Sequence, residues 1–310
     1  MDAIAGLLDG PRARGAFLLR SSMDPPWSLL VQDEAPLTVL AVVRGQAWVL
    51  PAGGDARSLG CGDVAVLRGP EPYVVADDPT TAPRVVISPG QHCTTPDGEP
   101  LAAMAHQGVR TWGNSAHGST ELLTGTYQLH SEVSRRLLSA LPPLAVVHAG
   151  TWSNPLVGYL AEEIAKDEPG QEAVLDRLLD LLLIAALRAW LARPDGQCPG
   201  WYRGHSDPVV GPALRLIHHE PAQPWTVATL ACAAGVSRAA FARRFQRLVG
   251  EPPMSFLTNW RLTLAADLLR EPDLTVESVA RQVGYGSSFA LSTAFKRERG
   301  VTPQQHRRSA

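Results

Sequence analysis

Cysteine is scarce in this chain of 310 residues. Cys61, Cys93, Cys198 and Cys232 are widely spaced, without a Cys-x-x-Cys pair, which excludes a disulfide-stapled mini-domain and points to reduced thiols. Lysine is scarcer still: Lys166 and Lys296 stand against a large excess of arginine. No charged start followed by an apolar stretch opens the sequence, and no uninterrupted apolar run is long enough to span a bilayer. A cytoplasmic protein with no membrane partner is expected. With 45% hydrophobic and 19% charged residues, the composition is that of a folded globular chain, which sets disorder aside.

The length favours two domains, each with enough sequence for a core. A net charge of −2 hides an asymmetry: from His205 onward there are 13 basic and 8 acidic residues, leaving 15 basic and 22 acidic before it. A basic C-terminal third attached to an acidic remainder suggests that this third meets a polyanion, because Lys and Arg gain affinity by releasing the counterions condensed on phosphates.

From Trp27 to about Ile87 the apolar runs are short, Val-rich and interrupted by Gly, Pro or Asp, as in "LTVLAVVRGQAWVL" and "DVAVLRG". This is the pattern of strands joined by tight turns, and a small β-barrel or sandwich fits it. After "LLSALPPLAVVHAG" the period becomes helical, giving a hairpin broken at "DEPGQ". Its second helix is apolar over so much of its circumference that a homodimer partner and burial within its own chain are equally open explanations. "RPDGQCPGWYRGHSDP" reads as a linker.

Beyond the linker the chain repeats. "TVATLACAAGVSRAAFARRFQRLVGEPP", from Thr226, overlies "TVESVARQVGYGSSFALSTAFKRERGVTP", from Thr275, pairing Ala231 with Ala280, Gly235 with Gly284, Phe245 with Phe295 and Gly250 with Gly300. In each copy a short helix, a Gly turn and a second helix follow in order. Phe241 and Phe245, or Leu291 and Phe295, mark the buried stripe of the second helix. The opposite faces hold Ala239, Ala242, Arg243 and Gln246 in one copy, and Phe289, Ser292, Thr293 and Lys296 in the other. Such faces suit the major groove. Phosphate contacts fall to Arg238, Arg244, Arg247 and Arg297 and to the helix starts around Ser287 and Ser288.

These residues resemble the DNA-binding domain of AraC/XylS regulators, and "GYGSSFALSTAFKRERGVTP" is similar to that family's signature. The resemblance implies two recognition helices placed in successive major grooves of promoter DNA, with RNA polymerase as a further partner. Thr293 stands where family members often have Arg, which implies more phosphate and shape recognition by the second helix.

"GDVAVLRGPEPYVVADDP" is similar to the second conserved segment of cupin barrels, and with "LLTGTYQLHSEVSRRLLSALPP" it resembles a cupin-type sensor domain. Enzymatic cupins carry a His-x-His pair, where this chain reads "RGQAWVL", and a later His, where it has Tyr73. A metallo-oxygenase is therefore disfavoured and no catalytic residues are assigned. Effector or redox candidates are Tyr73 and the pair His92 and Cys93. The thiol would bind zinc with help from His106, His117 or His130, or sense an oxidant if His92 lowers its pKa. Cys61 and Cys232 read as small packing residues.

The expected fold is multidomain α+β. A cupin-like sensor barrel over 1–140 precedes a helical hairpin for relay or dimerisation over 141–197, a linker over 198–206 and an all-α double helix-turn-helix domain over 207–310. The expected function is a one-component, sequence-specific transcription regulator answering a small-molecule effector or an oxidant. Its rivals are an architectural DNA-binding protein with a purely dimerising barrel and a cupin enzyme fused to a DNA-binding domain. Residues 205–310 expressed alone should bind the cognate promoter with an affinity that falls steeply with salt in gel-shift titrations, whereas a fragment covering 1–197 should not.

Overall fold

The computed structural model describes residues 17–101, 105–108, 110–127, 132, 138–139, 141–152, 155–193 and 200–308. Its contacts divide the chain into two units, one holding 11–129 and 141–194 and the other 130–140 and 195–310.

Thirteen strands among the described residues build the first unit. One sheet holds β1 (Phe17–Met23), β3 (Leu37–Arg44), β6 (Val64–Arg68), β10 (Ala105–Gly108), β11 (Thr111–Gly113), β12 (Thr120–Tyr127) and β13 (Leu144–Val147), in the order β10-β11-β1-β12-β3-β6-β13. The second holds β2 (Ser28–Val31), β4 (Gln46–Pro51), β5 (Arg57–Gly60), β7 (Tyr73–Ala76), β8 (Val85–Ser88) and β9 (His92–Thr94), in the order β5-β4-β7-β2-β8-β9. The expected barrel is thus two sheets without a closed ring among the described residues. Their facing sides share a core that includes Met23, Trp27, Leu29, Leu40, Val75 and Leu122.

β3 is buried from Leu37 through Val42, on both faces, which explains its unbroken apolar run. Its outer face and that of β12 are covered by helices α1 (Leu156–Ile164) and α2 (Gln171–Leu191). A Cβ on Gly125 of β12 would meet the Leu179 side chain of α2 at 2.6 Å, and Tyr127 Oη donates to the Leu179 carbonyl at 2.9 Å. The hairpin and β13 belong by contacts to the sheet unit, so the expected division at 140/141 does not coincide with the division of contacts. Val174 and Leu181 of α2 remain exposed.

The second unit is helical: α3 (Gly200–His205), α4 (Val210–His219), α5 (Val227–Ala233), α6 (Arg238–Val249), α7 (Pro253–Leu268), α8 (Val276–Gln282), α9 (Ser288–Arg299) and α10 (Pro303–Arg308). The stretch expected as linker therefore contains α3, which packs on α4 and α6. Matching caps make the duplication physical. The Thr226 and Thr275 hydroxyls accept from the N–H groups of Thr229 and Ser278, those of Ser237 and Ser287 from Ala240 and Ala290, and Gly250 and Gly300 close α6 and α9 in the left-handed region.

The two turn glycines differ in what they require. Gly235 has φ 68° with open space around it, whereas Gly284 has φ 84° and lies where a Cβ would meet Ala222 Cα and O at 2.7 Å. Gly235→Ala should cost about 1–2 kcal/mol for the left-handed conformation alone. Gly284→Ala should cost a further ~1–3 kcal/mol of overpacking, measurable as a larger fall in denaturant midpoint.

Candidate nucleic-acid interface and sensor cavity

Phe241 and Phe245 pin α6 into its unit, both at 0% exposure, with Phe241 packed on Phe245 and Phe245 on Phe256 of α7. That anchoring turns Arg238, Ala239, Arg243, Gln246 and Arg247 to solvent, with Ala242 half-buried among them. In the second copy, Leu291 and Phe295 are equally buried, against Leu262, Ala265 and Ala280. Phe289, Thr293, Lys296 and Arg297 are exposed and Ser287, Ser288 and Ser292 are half-buried. Phe289 is 80% exposed, a large apolar ring standing in water on a polar face. The Thr293 hydroxyl donates to the Phe289 carbonyl at 3.0 Å.

Several groups expected at phosphates are engaged inside the protein. Arg244 grips Asp207 through Nε at 3.0 Å to both oxygens and Nη2 at 2.8 Å, so it is a structural arginine. At the start of α9, Ser288 N–H donates to Glu277 at 2.9 Å while Ser287 caps Ala290 N–H, so these helix-start groups are also taken. The side-chain and backbone hydrogen bonds of Ser288 hold the Glu277 carboxyl below its ordinary range. Arg261 donates to the carbonyls of Pro221 and Gln223, and Arg307 to those of Leu269 and Leu274. Arg299 pairs with Glu132 at 2.8 Å. Arg297 pairs with the adjacent Glu298 at 2.8 Å and stays 67% exposed. Sequence reasoning assigned the basic third to a polyanion as a whole and missed these internal partners. Asp207 carried one legible signal, that of a helix-start residue, and it does accept from Val209 and Val210 N–H.

In the sheet unit, a cavity of about 350 Å³ opens between the facing sheets, with Tyr73 and Cys93 in its wall. Burial drives the Tyr73 phenol well above its ordinary pKa, against a hydrogen bond with Thr38, so the hydroxyl is neutral. Cys93 and His92 follow one another on β9 and so point to opposite faces; His92 is exposed and Cys93 half-buried. Burial pushes the Cys93 thiol up, the reverse of the activation expected from a neighbouring imidazole. The His106 side chain and His130 lie outside the described residues, as does Cys198. Among the described residues no group of three or more His, Cys, Asp or Glu side chains is placed to hold a metal ion. Cys61 and Cys232 are both exposed, which corrects their reading as small packing residues.

Residues 2–192 match the cupin family model and residues 230–309 the helix-turn-helix domain model. An AraC-like transcription regulator from Streptomyces antibioticus is 34% identical over 288 residues, covering 91% of this chain and 90% of that one. The regulator AlkR of Acinetobacter baylyi is 27% identical over 316 residues, spanning 100% of both chains. Among solved structures, the DNA-binding domain of AdpA in complex with a target DNA is 36% identical, covering 34% of this chain and 93% of that one, with a TM-score of 0.32.

The Asp207–Arg244 clamp makes a testable statement about acid stability. Burial opposes ionisation of Asp207, but the Arg244 hydrogen bonds, joined by the N–H groups of Val210 and Val209, outweigh it and hold the carboxyl below its ordinary range. A depressed folded pKa contributes stability above the unfolded value, near ~3.9, and loses it as pH falls through the folded one. Arg244→Met should therefore lower the denaturation midpoint at neutral pH, and its difference from wild type should shrink as the pH falls below the ordinary carboxylate range.

Proposed function

Because this chain belongs to the AraC-like family of transcription regulators, sequence-specific DNA-binding proteins that here carry a cupin domain ahead of the helix-turn-helix domain, we propose that α6 and α9 are its two reading helices, set into successive major grooves of promoter DNA. The observation that carries this reading is the pairing of two capped helices in one duplicated frame, each anchored by a buried pair and presenting a polar face. α6 bears the long donors Arg243 and Gln246, the residue types that read guanine and adenine edges. α9 offers the Phe289 ring, the Thr293 methyl and Lys296, a face suited to thymine methyls, phosphates and DNA shape. Arg238, Arg247 and Arg297 hold the backbone.

The cavity between the sheets is the input, and a small-molecule effector there governs promoter occupancy. The half-buried, un-ionised Cys93 thiol favours such an effector over an oxidant. Contact with RNA polymerase, action in the cytoplasm and pairing with a second copy of the chain complete the reading.

Arg243→Ala should cost about 1–3 kcal/mol and relax preference at one base pair, whereas Arg297→Ala should weaken all sequences alike and reduce the salt slope by roughly 1. Binding titrations on a panel of single-base promoter variants at several salt concentrations measure both. Equal, sequence-independent losses for the two variants overturn the assignment of base reading to α6.

A further inference from the structure

The cavity that serves as input is chemically lopsided, and its asymmetry identifies a class of ligand. Strand registers order the lining within each sheet. Leu29 of β2 faces Val75 of β7 in one sheet, and Ser21 of β1 faces both Leu122 of β12 and Trp112 of β11 in the other, so these parts of the wall are mainly hydrocarbon and indole. One layer further along, Val31 faces Tyr73 and Ile87, and Ile87 faces Cys93. Beyond that layer, where β2 has ended, lie Asp33 and Gln91.

Among the described lining residues Asp33 is the single acidic side chain, and none of them is Lys, Arg or His. Its Oδ1 accepts from Ala35 N–H at 3.1 Å and its Oδ2 from Gln91 Nε2 at 3.0 Å. Both donors are neutral, and a carboxylate has about four lone-pair sites, so acceptor capacity remains that no described lining residue fills with a positive charge. The arrangement is held in place: Gln91 adopts φ 61°, a left-handed conformation that a non-glycine residue rarely takes, and its amide is tied to Asp33.

We propose that this cavity binds a hydrophobic amine, with its ammonium at Asp33 beside Gln91 and its apolar body against Leu29, Val75, Leu122 and Trp112. The proposal rests on reading the cavity as the regulator's input. Carboxylates and phosphates fit poorly, since an anion placed here would face Asp33 and no described lining residue supplies a counter-charge. Sugars are excluded because the apolar end leaves their hydroxyls unpaired. The cavity volume, about 350 Å³, lies near the small end of the roughly 300–1,000 Å³ that small-molecule sites occupy, which fits a single-ring or short-chain amine.

The test uses three molecules of similar size, phenethylamine, phenethyl alcohol and phenylacetate, titrated calorimetrically into the full chain and into two variants. Asp33→Asn keeps the side chain's size and one of its two acceptors but removes the charge, the Gln91 amide being free to turn its oxygen toward the new NH2, and Thr124→Phe fills the cavity from β12, whose Thr124 lines its wall. Phenethylamine should bind most tightly and phenylacetate not detectably. Asp33→Asn should weaken the amine roughly tenfold, the scale of one charge-assisted hydrogen bond, while leaving the alcohol unchanged. Thr124→Phe should abolish both. Amine binding no tighter than alcohol binding, or unaltered in Asp33→Asn, overturns the amine assignment and leaves the cavity as a site. Binding of amine and alcohol that survives Thr124→Phe, or failure of both to bind wild type, overturns the cavity as the input together with the amine assignment.

Discussion

Helix α7 is the constraint on which the DNA-binding unit depends. At 16 residues it runs about 24 Å at 1.5 Å per residue, and its two ends are buried by different partners. Phe256 meets Phe245 of the first copy, while Leu262, Ala265 and Ala266 meet the core of the second around Leu291 and Phe295. A helix clamped at both ends by close-packed side chains behaves as a strut, because cores of this density do not deform continuously. The separation and relative rotation of α6 and α9 are therefore set by hydrocarbon packing, and none of the residues that face outward has to maintain them.

The parts of this architecture that were legible in the sequence are those written locally. Caps, turn glycines and paired aromatic residues recur in two copies, and each acts over one or two helical turns, so matching Thr226 to Thr275 and Gly235 to Gly284 was enough to locate four helices. The α3 helix was hidden because Gly200 and Gly204 read as loop residues; they instead allow close packing, since a Cβ on Gly200 would meet the Leu248 carbonyl at 2.5 Å. The fate of Arg244 was hidden because its partner Asp207 lies 37 residues earlier, and no periodicity links them.

The sensor unit shows the same division. Val-rich runs identified strands, but whether sheets close into a ring is decided by edge pairing between distant segments, which composition does not encode. His92 and Cys93 illustrate how sequence adjacency misleads: neighbours on a strand face away from one another, so the imidazole points to solvent while the thiol enters the cavity wall. Asp33 escaped notice for the opposite reason. A lone acidic residue in "VQDEAP" carries no pattern, and it gains meaning only where Gln91, 58 residues away, closes on it.

The internal engagement of arginines bears on how the protein searches DNA. Of the basic residues in the C-terminal third, Arg244, Arg261, Arg299 and Arg307 are committed to carboxylates or carbonyls of the same chain. Long-range attraction to a polyphosphate depends on uncompensated charge, and pairing with Asp207 and Glu132 removes two of those charges from the external field. The charge free to attract a polyphosphate at long range is therefore smaller than the formal count of this third, and it is concentrated on the side chains that keep no carboxylate partner.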